Sequence, residues 1–299
     1  MQNKKSLAVI GCGYWGINLV RNFYNLGALK SVADNSLVAK KKVKSLSKDI
    51  HFTQNYEAIL NDDNIKSVAI ATPAKSHYSI VKKALIANKH VFVEKPLCLN
   101  LKDAKILKLI AKKRKLKIMV GHLMLYHPAF TKMKEKIAKG LIGKIRYVYS
   151  NRLSLGKLRK DEDVLWSFAP HDVSMILNLI NSKVKKIDAF GGSYLKKNIK
   201  DTSLTSITFS NKAKGHIFVS WLHPYKDQRL VVIGENGMIV FADTSIGENK
   251  LLHYNQKVGW KGEVPLTSKS EAKRIPFNTK KEPLAIECKS FIDWIEKGK

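Results

Sequence analysis

The stretch that most narrows the possible folds is residues 6–19, "SLAVIGCGYWGINL". A short apolar run leads into Gly11, Gly13 and Gly16, spaced G-x-G-x-x-G. These open a segment with Ile17, Val20, Phe23 and Tyr24 on one helical side and Gly27 at its end. Glycines at that spacing permit a tight turn, close approach of a pyrophosphate to backbone N–H groups, and tight packing of helix on strand. The positive end of the helix dipole then faces the phosphates. Asp34 ends the next apolar run, 18 residues after Gly16, where a carboxylate accepts the hydrogen bond of an adenosine ribose hydroxyl. The pattern predicts an NAD site that includes Gly11, Gly13, Tyr14, Trp15, Gly16 and Asp34. Asp34 repels a 2′-phosphate, while Ser36 and Lys40 to Lys42 leave NADP open.

The same alternation continues. Apolar runs at "IKSVAIATP", "HVFVE" and "KIMVGH" are separated by helix-period segments, the arrangement of βαβ units in a parallel, doubly wound sheet. From about residue 122 the pattern changes. After the helices predicted at "HPAFTKMKEKIAKG" and "PHDVSMILNLI", strands joined by short turns dominate. The expected class is α/β plus α+β: an N-terminal Rossmann dinucleotide-binding domain over residues 1–121, and a C-terminal domain over 122–299 with a large, mostly antiparallel sheet.

Composition narrows the function. The net charge of +30 raises a nucleic-acid reading, yet only seven of the 54 basic residues are arginine, and the lysines are spread along polar helix faces. Arginine makes the bidentate phosphate and guanine contacts, and no basic stretch carries interleaved aromatics for base stacking. No nucleic-acid partner is expected. Cys12, Cys98 and Cys288 are odd in number and lack metal-ligand spacing, so no metal is expected and a reducing compartment is. The charged and then apolar start is too short and too glycine-rich for a secretory leader, and no run approaches the ~20 apolar residues of a membrane span. The expectation is a cytoplasmic protein without membrane insertion.

Two further strand ends carry chemistry. Thr72-Pro73, with His77 beyond, and Glu94-Lys95-Pro96 each close an apolar run of the first half, so both should face the cofactor crevice. Together with the glycine motif, the segment Ala71–His77 and the E-K-P triplet Glu94–Pro96 resemble the glucose-fructose oxidoreductase, inositol dehydrogenase and rhizopine-catabolism (Gfo/Idh/MocA) family of dehydrogenases. The resemblance covers essentially the whole chain. It implies contacts from Thr72, Pro73, His77 and Glu94 to the cofactor, and a place for Lys95 near the nicotinamide and the reacting alcohol. Alcohol oxidation needs positive charge where an alkoxide develops and a group that takes the hydroxyl proton. Lys95 suits the first role, with Glu94 orienting or neutralising it.

For the proton acceptor, "VLWSFAPHDVSMILNLI" puts His171 directly after Pro170, read as the first turn of a helix whose N-terminus keeps imidazole neutral; Asp172 opposes this. Family members often carry an Asp four positions before this His; here that position is Ser167. Ser167 and His171 are expected to line the substrate pocket, and Tyr126 and His122 either line it with them or pack in the core. Asn151, Arg152, Lys157 and Arg159 cluster scarce arginines beside the helix, as an anionic group such as a diphosphate needs. Within the family, "GYWGINLVRNF", "GHLMLYHP" and "LWSFAPHDVS" are most similar to nucleotide-sugar enzymes, in particular the UDP-N-acetylglucosamine 3-dehydrogenase branch of bacterial surface glycan or lipid A biosynthesis. A UDP-sugar substrate and a homo-oligomer formed through the C-terminal sheet are implied. A dehydrogenase of free sugars or inositols and a non-catalytic NAD sensor compete with this reading. Family members usually continue past the final helix, "EPLAIECKSFIDWIEKGK", with a loop and one more helix; the sequence here ends at Lys299.

Overall fold

Every residue of strand β1 (Leu7–Ile10) is buried, as a continuous apolar strand covered on both faces must be. The computed structural model describes residues 5–155, 158, 159, 162–256, 258–268 and 270–298. After β1 come α1 (Gly16–Asn25), β2 (Leu29–Ala33), α2 (Leu37–Leu46), β3 (His51–Thr53), α3 (Tyr56–Leu60), β4 (Ser67–Ile70), α4 (Ala74–Ile86), β5 (His90–Glu94), α5 (Leu101–Lys113) and β6 (Ile118–Gly121). All six strands are parallel, in the order β3-β2-β1-β4-β5-β6. The chain leaves β1 to one side and returns at β4 on the other. That reversal opens a crevice beyond the carboxyl ends of β1 and β4, where folds of this kind bind ligands.

A second unit runs from Met124 to Lys281. It contains α6 (Pro128–Ala138), β7 (Ile145–Leu153), α7 (Val164–Leu179), β8 (Val184–Gly192), β9 (Thr202–Phe209), β10 (Lys214–Ser220), β11 (Asp227–Gly234), β12 (Met238–Ala242), β13 (Leu251–Tyr254), β14 (Val258–Lys261), β15 (Val264–Thr267) and β16 (Ala272–Arg274). Eight of these strands form one sheet in the order β16-β13-β12-β11-β7-β10-β9-β8. Every neighbouring pair is antiparallel except β7 with β10. The exception follows from the path: after β7 the chain crosses through α7 to the far edge at β8, then returns by β9 to β10. Phe130 and Met133 of α6, and Met175 and Ile176 of α7, share a buried core with Val148, Ile217 and Phe241 of the sheet. Among the described residues, no helix is long and apolar enough to cross a membrane.

The last helix, α8 (Pro283–Lys297), belongs to the first unit, not to the second as the division 122–299 supposed. Its Phe291 meets Phe23 of α1 and Phe92 of β5 edge to face, with centroids 6.5 and 5.7 Å away, and all three rings are fully buried. Lys117 lies over the Trp294 ring at 5.1 Å and donates to the Trp294 carbonyl. At the other end, Arg21 forms a two-pronged pair with Glu282, at 2.6 and 3.1 Å, but both side chains are about 40 % exposed. Such a pair contributes up to about 1 kcal/mol, whereas deleting a buried phenylalanine costs about 3–5 kcal/mol. The aromatic cluster therefore holds α8 in place. Urea unfolding should show a loss of about 3–5 kcal/mol for Phe291→Ala and under about 1 kcal/mol for Arg21→Ala; equal losses would contradict this assignment.

Candidate active site

In the first unit the expected residues gather at the carboxyl ends of β1, β2, β4 and β5. Gly11 has φ +92°, and a Cβ there would sit 2.8 Å from the Ala71 carbonyl. At Gly16 a Cβ would lie 2.1 Å from the Gly11 oxygen, whereas at Gly13 it would meet nothing within 4 Å. The outer glycines thus allow α1 to close on the strands, and the middle one leaves an open cradle. No side chain caps α1, so its first N–H groups have no competing side-chain acceptor. Asp34 follows β2; its carboxylate accepts from Cys12 N–H at 2.6 Å and Ser36 N–H at 2.8 Å. Each oxygen keeps a lone pair for a ribose hydroxyl. These features fit the adenosine and pyrophosphate portions of a dinucleotide. Tyr14 is 93 % exposed, and Trp15 turns across to donate its indole N–H to Glu94 at 2.6 Å.

Thr72 and Pro73 follow β4, and Glu94 ends β5 with Lys95 next. His77, expected to contact the cofactor, is engaged with the backbone of both strand-end loops. His77 is buried, and its ring nitrogens sit 2.6 Å from the Pro96 carbonyl oxygen and 2.8 Å from that of Thr72. The ring faces inward and braces the two strand-end loops against each other. Burial pushes the Glu94 carboxyl above the ordinary carboxylate range, against the Trp15 hydrogen bond and the Lys95 charge. His122 stands out more than its sequence did. Glu94 pairs with Gly121 across β5 and β6, which makes Lys95 and His122 neighbouring strand-end residues. Burial, and then the Lys95 charge, push the His122 imidazole below its ordinary value, favouring the neutral ring.

In the second unit, Ser167 and His171 are four residues apart on α7 and share a face. His171 is not in a first turn, however. The Asp163 carboxylate caps Trp166 N–H at 3.0 Å, so the helix begins six residues before Pro170 and carries that proline internally. The helix-terminus argument for a neutral His171 therefore does not apply. Asp172 turns away from that face: it accepts from Arg152 Nε at 2.7 Å and from the Ser150 hydroxyl. Arg152, expected to bind substrate, is 6 % exposed and forms a buried ion pair. Asn151, its neighbour on β7, points to the opposite sheet face, because strand side chains alternate. Arg159 pairs with Glu162 at 3.4 Å, and Lys157 lies outside the described residues. Tyr126 closes the 3₁₀ turn before α6.

Comparison with known proteins bears on this arrangement. Residues 5–122 match the model of the oxidoreductase family with an NAD-binding Rossmann fold, and residues 130–240 match that of the GFO/IDH/MocA C-terminal domain. The chain belongs to the GFO/IDH/MocA family. As a family member it is an NAD(P)-dependent oxidoreductase, with NAD the cofactor of its first unit. It is 26% identical over 258 residues to scyllo-inositol 2-dehydrogenase (NAD(+)) of Bacillus subtilis, covering 80% of this chain and 74% of that one. To the UDP-N-acetylglucosamine 3-dehydrogenase of Acidithiobacillus ferrooxidans it is 24% identical over 96% of this chain and 87% of that one. A solved structure of that enzyme superposes with a TM-score of 0.83 at 22% identity, over 98% of this chain and 90% of the other. A levoglucosan dehydrogenase in complex with NADH and levoglucosan gives 0.81 at 20%, over 98% and 90%. The last two comparisons establish the family fold, including the parallel sheet followed by the mostly antiparallel one.

The Arg152–Asp172 pair gives this unit a testable sensitivity. Arg152→Met leaves Asp172 buried without its partner and should cost about 3–5 kcal/mol in urea unfolding, while adding Asp172→Leu should recover most of it. A single variant as stable as the parent would contradict the buried-pair description.

Proposed function

We propose that this GFO/IDH/MocA member oxidises a ring hydroxyl of a sugar with NAD, and that the sugar is carried on a nucleotide: UDP-N-acetylglucosamine, giving its 3-keto form for a bacterial surface glycan or lipid A. The observation that carries the sugar-alcohol chemistry is Lys95 at the end of β5, in the same sheet as the glycine motif, with a neutral-favouring His122 beside it. Nicotinamide, when bound, supplies the hydride acceptor. The Lys95 ammonium then stabilises the alkoxide as the proton leaves, and Glu94, hydrogen-bonded to Trp15, orients it. His171 is assigned the hydroxyl proton on the strength of the sequence resemblance, with Ser167 on the same helix face.

The nucleotide-sugar assignment is supported by the match to the UDP-N-acetylglucosamine enzyme along nearly the whole of both chains. A second reading, a free sugar or inositol, is favoured by Arg152, since the arginine expected to hold a diphosphate is paired with Asp172 instead. A second copy of the chain is the proposed partner, at the sheet of the second unit; Phe190 on its edge strand β8 leaves a large apolar side chain exposed. Sedimentation that finds only monomers would remove that partner. Three free cysteines are in keeping with a cytoplasmic location.

Reduction of NAD should be followed against UDP-sugars, free hexoses and inositols, with a ketone trap because the oxidation is uphill. Signal with UDP-N-acetylglucosamine, inhibited by UDP, supports the first reading; signal with inositols alone, indifferent to UDP, selects the second. Lys95→Met should lower kcat by roughly 10²–10³-fold and leave NAD affinity unchanged. Full turnover in that variant would remove Lys95 from the chemistry. His171→Gln should also lose kcat, and an active variant would move the proton-accepting role to another residue.

A further inference from the structure

Behind the strand-end residues lies a carboxyl that none of the steps above uses. Glu287, on α8, is 0 % exposed, and neither of its oxygens has a hydrogen-bond partner among the described residues. Its location follows from register. Phe92 and Glu94 are two apart on β5 and share a face, while Phe291 and Glu287 are four apart on α8 and share a face. Two strand steps advance about 6.6 Å and four helix steps about 6 Å. The Phe92–Phe291 contact therefore sets Glu94 and Glu287 on one level. The helix runs opposite to the strand: Trp294 is reached by Lys117 from the start of β6, and Glu287 feels the Glu94 charge at the far end.

The surroundings offer little else to neutralise it. The Glu94 carboxyl packs where a Cβ on Gly121 would come within 3.2 Å, and it accepts the Trp15 N–H. Lys95 follows Glu94, with His122 as its strand-end neighbour. From α8 and α1 come Cys288, whose thiol burial pushes up, and the Glu282–Arg21 pair. Two carboxylates in such a place do not both ionise near neutral pH.

We propose that Glu287 is a positioning residue for Lys95: it stays protonated on the same level as Glu94, so that the two carboxyls together carry a single negative charge behind the strand-end ammonium. This rests on the alkoxide-stabilising role proposed for Lys95. Burial, reinforced by Glu94, pushes the Glu287 carboxyl up to about 9 from 4.5. Between those values the folded chain keeps a proton that the unfolded chain has released, so this group makes stability fall as pH rises through that window.

Infrared spectra of the wild-type protein near neutral pH should contain a protonated carboxyl band that Glu287→Gln removes. The thermal midpoint of Glu287→Gln should exceed that of wild type by a margin that widens as pH rises through the window; Glu287→Leu should show the same widening if glutamine prevents folding. A packing role alone gives a constant difference. In turnover, the alkaline limb of kcat/KM assigned to Lys95 should shift to lower pH in Glu287→Gln, because the ammonium no longer gains a second negative neighbour there. A missing band, or a pH-independent margin, overturns the proton-holding pair. An unmoved alkaline limb with the band present overturns its link to Lys95. Failure of the Lys95 reading is distinguishable: Lys95→Met would then turn over fully while the band and the widening margin persist.

Discussion

A Cβ at residue 16 would lie 2.1 Å from the Gly11 oxygen, and one at residue 11 would lie 2.8 Å from the backbone of Ala71. Glycine at these two positions is what lets α1 come down onto the ends of β1 and β4, and much of the first unit depends on that approach. It carries Trp15 to Glu94 and Phe23 to Phe92, and the groove between α1 and β5 then receives Phe291 of α8. One close packing thus fixes the open cradle at Gly13, the orientation of Glu94 and the seat of the final helix. The cofactor site and the core beneath it are consequences of the same contact.

Much of this was legible in the sequence, because it is encoded locally. Apolar runs of strand length, helix-period segments between them and Asp34 after the second run specify a parallel sheet and its crevice. What was not legible depends on partners far along the chain. Nothing local to His77 shows that its ring will sit between the carbonyls of Thr72 and Pro96. His122 becomes a neighbour of Lys95 only through the pairing of Glu94 with Gly121. The final helix reads simply as amphipathic; which unit it joins is decided by two phenylalanines more than 190 residues upstream.

The second unit contains signals that were present but outweighed. Asp163 stands three residues before Trp166 at the start of an apolar run, the spacing of an N-cap, yet Pro170 is the stronger local sign of a helix start. Asn151 and Arg152 are neighbours in sequence, yet alternation along a strand sends them to opposite faces. Scarce arginines suggested an anion site, and one of them instead pairs with Asp172 inside the unit. A buried ion pair of this kind sets geometry more than it adds stability, since desolvation offsets much of its attraction. It leaves His171 and Ser167 on the α7 face that Asp172 does not use.

The central claim is that the ends of β1, β2, β4 and β5 serve one nicotinamide cofactor. A crystal structure of the protein with NAD tests it most directly. The account predicts the pyrophosphate over Gly13 at the start of α1, the adenosine ribose on Asp34, and the nicotinamide beside Thr72 and Lys95. Density for NAD that leaves Gly13 and Asp34 uncontacted, or a nicotinamide remote from Lys95, would contradict it.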